Sequence, residues 1–192
     1  VSKDGKNNLS KSYRRLVFDE LCSNFFILSE NRNRIKKEKS PKKFLCIKSK
    51  YIEKKLPFKL TKSQQDVLTE INKDLLSRKR MFRILQGDVG SGKTIVSLLA
   101  ISNVIESGYQ CALMAPTEIL AKQHYELAKK IFKNLNFNIA FLTGKNEIKN
   151  RKQILKNLET GKIKLLIGTH ALFQKKINFK NLGLVIIDEQ HK

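Results

Sequence analysis

The sequence predicts an α/β domain, a mostly parallel sheet covered by helices on both faces and preceded by a basic N-terminal helix. Three observations carry this. Short apolar runs alternate with segments of helical periodicity from about residue 62 onward. The runs are apolar almost without interruption, which suits strands buried on both faces rather than strands with one wet side. A glycine-rich turn, "QGDVGSGKT" at 86–94, joins the first of these runs to the helix that follows it.

Each element has its own warrant. Residues 1–11 are polar and are expected to be disordered. From Ser12 to about Lys39, Leu16, Phe18, Leu21, Cys22, Phe25, Phe26 and Leu28 recur at spacings of three and four, a helical pattern. Its tail is basic, with Arg32, Arg34, Lys36, Lys37 and Lys39 followed by Lys42 and Lys43; this is either a solvated face or a phosphate-contacting one. Pro41 ends the helix, and 44–60 shows no clear pattern beyond an extended entry at "LPF", 56–58. Thr61 can N-cap a helix over 62–78 that gathers Val67, Leu68, Ile71 and Leu75 on one face. Strands are expected at 81–86, 111–115, 138–143, 164–169 and 182–188, with helices at 93–107, 118–133 and 147–160 between them. Gly108 and Gly161 stand where two of those helices stop.

Composition narrows the class. The 192 residues carry 39 Lys and Arg against 17 Asp and Glu, a net charge of +22. Such an excess favours polyanionic partners through counterion release, although a lysine-, asparagine- and isoleucine-rich codon bias supplies part of it. Cys22, Cys46 and Cys111 are odd in number and show no CxxC spacing, which argues against a disulfide framework or a zinc site and for a reducing, cytoplasmic setting. No apolar run is long enough to span a bilayer, so no membrane partner is expected. The chain opens on Val1 and closes on "DEQHK" directly after an apolar run, so it reads as a fragment.

The glycines have a chemical purpose. Gly87, Asp88, Val89, Gly90, Ser91, Gly92, Lys93 and Thr94 fill G-x-x-x-x-G-K-[ST] between a strand and a helix, the context a phosphate-binding loop requires. Glycine permits backbone angles that turn amides inward onto phosphate oxygens, and the helix N-terminus adds positive potential. Lys93 supplies a cation to the terminal phosphates and Thr94 a hydroxyl to Mg2+. At the end of the last apolar run, Asp188 can hold the Mg2+ and Glu189 can orient and activate an attacking water. Together these residues point to hydrolysis of a nucleoside triphosphate. Gln64 is either a surface residue of its helix or an amide that pairs with adenine, since it can donate and accept at once.

"GDVGSGKT", "MAPTEILAKQHY", "FLTG", "GTHALFQ" and "NLGLVIIDEQH" resemble, in order and spacing, the first motor domain of superfamily 2 helicases, and more narrowly of the RecG type of ATP-dependent DNA helicase. "RRLVFDEL" at 14–21 and "LPFKLTKSQ" at 56–64 are similar to the segments just before that domain, so the resemblance runs over about 12–192. It implies a RecA-like P-loop NTPase domain over 56–192, incomplete after the Walker B strand, behind a basic tail and linker helix over 1–55. It implies ATP and Mg2+ as cofactors, with Gln64 and Phe58 reading adenine. It also implies DNA contacts, independent of sequence, from Pro116, Thr117 and Glu118, from Thr143 and Gly144, and from Thr169 and His170, while His191 completes a DExH pattern. From the residues alone, Thr117 is equally a helix N-cap, and Thr169 or His170 can simply close a loop.

The implied partner is branched or fork-like DNA, the implied processes are DNA repair and recombination, and the implied state is a monomer. The third helicase motif, the second motor domain with its arginine fingers and the DNA-gripping wedge domain are not in these 192 residues, so this chain alone is expected neither to unwind DNA nor to turn over ATP appreciably. In such motors a further strand separates the phosphate-loop strand from the Asp-Glu strand, so 82–86 and 184–188 are expected either to flank an empty slot or to collapse together. Two other readings stand beside this one: the translocase of transcription-coupled repair, and a module that binds nucleotide and DNA without turnover.

Overall fold

The computed structural model describes residues 11–35, 47–144, 148–173 and 177–189. The expectations for the polar start of the chain, for Lys36 to Lys43 with Pro41, and for His191 lie outside these residues. The chain divides into two compact units, one made of residues 1–41 with 77–82 and the other of 42–76 with 83–192.

In the first unit, α1 (Lys11–Ile35) is the expected long helix. Its apolar positions Leu16, Phe18, Leu21, Phe25 and Phe26 are all exposed.

The second unit holds the sheet. After α2 (Ile47–Lys55) and α3 (Lys62–Leu76) come α4 (Lys93–Glu106), β1 (Gln110–Met114), α5 (Glu118–Phe132), β2 (Ile139–Leu142), α6 (Ile148–Glu159), β3 (Leu165–Gly168), a 3-10 turn (His170–Phe173) and β4 (Leu182–Ile187). The four strands lie in the order β2-β3-β1-β4, and every pairing is parallel. Parallel neighbours need crossovers, and the right-handed rule sends helices to opposite faces when the crossover direction reverses. From β1 outward to β2 and back from β2 to β3 the direction does reverse. The crossovers α5 and α6 therefore take opposite faces. Cys111 of β1 turns its thiol toward the Ile101 carbonyl of α4, whereas Leu158 and Ile154 of α6 join Met114, Ala140, Leu142 and Leu166 in a separate cluster. The sheet therefore has two cores.

Burial explains the run composition. The inner strands β1 and β3 are buried at every position, while at the edges β2 alternates and β4 buries only Leu184 fully. Helix α4 is apolar on nearly every side because α2 and α3 cover one flank while β1 and β4 lie on the other. Gln110 is a fully buried polar residue whose bonds tie the core together. Its amide nitrogen donates to the carbonyls of Leu158 (2.9 Å) and Ile163 (2.7 Å), and its oxygen accepts from the Asn181 amide (2.9 Å). One side chain thus ties the end of α6, the approach to β3 and the approach to β4.

Two expectations are corrected. Helix α2 was not expected; it packs on α4 and buries Ile52. Conversely, 81–86 forms no strand. An apolar run becomes a strand only where a neighbouring edge accepts its backbone groups. Here β4 pairs with β1 alone, Ile84 is 79% exposed, and no direct pairing joins 83–86 to β4. The collapsed alternative is therefore not what forms, and β4 is left as an edge with Val185 and Ile187 exposed.

Candidate active site at the carboxyl edge of the sheet

The loop at 87–94 builds its shape from two left-handed glycines, Gly90 (φ 80°) and Gly92 (φ 81°). Gly92 serves as the N-cap of α4 without any side-chain cap, and the amides of Ile95 and Val96 bond back to its carbonyl. The amides of Lys93 and Thr94 at the head of α4 are not used in this way and point to the usual anion site at a helix N-terminus. Lys93 folds over the loop, its Nζ donating to the carbonyls of Gly87 (2.6 Å) and Asp88 (2.7 Å). Val89 at the loop tip is fully exposed, and Thr94 is half-buried.

Gln64 is joined to this loop. Its Nε2 donates to the Ser91 carbonyl (2.8 Å). Its Oε1 accepts from the Thr61 amide (2.9 Å), while the Gln64 amide donates to Thr61 Oγ1 (3.2 Å). This is a reciprocal capping box opening α3. A Cβ at Gly92 would run into Gln64 Nε2, so a side chain there would both strain the left-handed backbone and displace the Gln64 amide. Phe58 lies exposed just before the same helix. Arg83, on the approach to the loop, is held by Asp74 (2.8 Å) and Glu70 (2.5 Å) of α3. The hydrogen bond to Asp74 is the largest influence raising its already high pKa.

The remaining sequence-predicted residues share one edge. Because all four strands are parallel, the segments after β1, β2, β3 and β4 leave the sheet on the same side. These are Pro116 to Glu118, Thr143 with Gly144, Thr169 with His170, and Asp188 with Glu189. Helix α4 spans about 21 Å at 1.5 Å per residue. Its C-terminus passes through Gly108 into the amino end of β1, so its N-terminus, with the loop, faces that same carboxyl edge. Ligands of open α/β sheets gather at this edge.

Individual placements differ. Thr117 caps α5, accepting from the Leu120 amide through Oγ1 (3.3 Å). Thr143 is buried, with Gly144 exposed beside it. Thr169 is half-buried, its carbonyl receiving the Leu172 amide, and His170 is exposed. Asp188 continues the ladder by one bond, its amide donating to the Met114 carbonyl (2.8 Å). Glu189 then takes a left-handed conformation (φ 51°), which costs a non-glycine residue about 1–2 kcal/mol. Strain of this kind concentrates at functional sites. No hydrogen bond joins Lys93 or Thr94 to Asp188 among the described residues.

Sequence reasoning missed one partner. His124 of α5, buried and two turns into the helix, sets Nε2 2.7 Å from Asp188 Oδ2. The residues are 64 apart in the chain. No local pattern announces the contact; only the βαβ topology could have brought α5 across to the end of β4. For Mg2+, the available donors are a hydroxyl at Thr94 and a carboxylate at Asp188, hard oxygens suited to that ion. No group of three or more His, Cys, Asp or Glu among the described residues could hold a metal by itself, so phosphate oxygens and waters would have to complete the shell.

A glycine-rich loop at a helix N-terminus, with an acidic pair on the same edge of a parallel sheet, defines a P-loop domain. The DEAD/DEAH box helicase family model matches residues 61–192, and the chain belongs to that family. Over its whole length it is 46% identical to the ATP-dependent DNA helicase RecG of Aquifex aeolicus, covering 24% of that protein. It is 52% identical over 139 residues to the RecG of Bacillus subtilis, which is 72% of this chain and 20% of that one. Among solved structures, RecG bound to a three-way DNA junction superimposes with a TM-score of 0.83 at 44% identity, over 93% of this chain and 25% of the other. A hypothetical ATP-dependent RNA helicase from Sulfolobus tokodaii shares the fold at a TM-score of 0.56 and 19% identity. The chain spans about a quarter of the length of the RecG proteins it matches end to end.

Proposed function

We propose that this chain is the ATP-binding motor domain, residues 56–192 behind a basic leading segment, of a RecG-like helicase that remodels branched or fork-like DNA at the expense of ATP. The single observation that carries the reading is the loop 87–94, built on Gly90 and Gly92 at the head of α4 and facing the sheet edge where Asp188 and Glu189 emerge. The loop amides and Lys93 hold the phosphates, and Lys93 exchanges its two carbonyl partners for phosphate oxygens. Thr94 and Asp188 would hold Mg2+, whose chemistry there would be charge neutralisation at the phosphates. Glu189 orients the attacking water. Gln64, which already adjoins the loop, takes the adenine side together with Phe58. Pro116 to Glu118, Thr143 and Gly144, and Thr169 and His170 meet the DNA backbone without reading its sequence.

The relatives' names support DNA as the partner, and the junction-bound relative supports branched DNA. No described helix is long and apolar enough to cross a membrane, and the reading is of a cytoplasmic monomer acting in repair and recombination. The test is equilibrium binding of a fluorescent ATP analogue to wild type and Lys93→Ala. Loss of the charge-assisted bonds should weaken affinity about tenfold or more. Equal affinity would overturn the nucleotide site.

A further inference from the structure

We infer that His124 is the positioning residue for the Asp188 carboxylate, and that it sets how tightly the site holds Mg2+ with nucleotide; this rests on the nucleotide site proposed above. Asp188 sits at the point where β4 leaves the sheet, followed at once by the left-handed Glu189, and its side chain is about one-third exposed. A carboxylate there has free rotation about its side-chain bonds unless something fixes it. The 2.7 Å contact from His124 Nε2 to Oδ2 does so. An ionised carboxylate only accepts, so Nε2 carries the hydrogen and donates.

The imidazole is itself a firm support. His124 is 8% exposed and projects from the middle of α5, between buried Ala121 and Ala128 on the same helix. The backbone of Asp188 is fixed independently by its amide bond to Met114. With the backbone held from β1 and Oδ2 held from α5, Oδ1 is left with one direction in which to meet a metal or a metal-bound water. Carboxylates that serve metals are commonly oriented by such a hydrogen bond, and losing the orienting partner costs about ten- to a hundredfold in metal affinity.

The experiment is a Mg2+ titration of fluorescent ATP-analogue binding by the intact protein, with folding checked by circular dichroism. His124→Leu should raise the Mg2+ concentration at half-saturation about tenfold, while nucleotide binding in excess chelator stays as in wild type. His124→Gln, whose Nε2 reaches where the imidazole Nε2 stood, should restore the wild-type requirement. His124→Asn, whose amide stops short of the carboxylate, should behave like Leu. The Gln-against-Asn split also decides the matter if the Leu variant does not fold. An unchanged Mg2+ requirement in His124→Leu, or equal behaviour of Gln and Asn, overturns the inference, provided Asp188→Asn raises the requirement. If neither Asp188→Asn nor Lys93→Ala alters binding, it is the nucleotide site itself that fails.

Discussion

At the scale of single residues, Gln64 has two amide atoms and both are engaged by protein, one by the Thr61 amide and one by the Ser91 carbonyl. Gln64→Ala should therefore lose a reciprocal cap and a tether to the loop, at about 0.5–2 kcal/mol of stability measured by urea unfolding. If the amide also reads adenine, the same variant should narrow the preference for ATP over GTP. Gly92→Ala should be worse for binding: it forces a left-handed alanine, at about 1–2 kcal/mol, and drives a methyl into Gln64. We expect analogue affinity to fall about tenfold or more, measured by fluorescence titration. The loop itself was legible because its residues are contiguous and each has a reason to be what it is. Thr61 was legible as an N-cap on equally local grounds, whereas neither the reciprocal bond from Gln64 nor its partner Ser91, 27 residues on, was read. His124 was invisible for the same reason.

Among the elements, the helices from α3 onward and the inner strands followed the sequence to within a residue or two, because periodicity and continuous apolar runs are set by which faces are buried. The failure at 81–86 is instructive. "MFRILQ" has strand composition, yet composition cannot supply the neighbouring edge that a ladder needs. Arg83 in that run is instead held to α3 by two acids, an exposed arrangement whose loss through Arg83→Gln should cost no more than about 1 kcal/mol. Close approach inside the sheet should matter more. A Cβ on Gly168 of β3 would lie 1.9 Å from the Leu142 carbonyl oxygen of β2, so Gly168→Ala must push two paired strands apart. A loss of about 1–3 kcal/mol is expected from overpacking, read from denaturant midpoints. A midpoint unchanged from wild type would mean that the β2-β3 spacing is looser than the register implies.

For the molecule as a whole, the charge of +22 and the clustering of motif turns on one sheet edge make DNA the natural polyanion. Binding to duplex or junction DNA should fall steeply with salt, each neutralised phosphate adding about −0.9 to the slope of log affinity against log salt. A flat salt response would remove the electrostatic basis for DNA contact. The exposed apolar edge of β4 is a liability at this scale, since open edges recruit other chains. The central claim is that the loop at 87–94 and the acids after β4 form one hydrolytic site. It is tested most directly by comparing analogue binding and DNA-stimulated ATP hydrolysis in a full-length helicase carrying this domain and in its Glu189→Gln variant. A general base is worth about 10²–10⁴ in rate, so hydrolysis should fall by about a hundredfold or more while nucleotide binding is retained. Hydrolysis at the wild-type rate in Glu189→Gln would contradict the account.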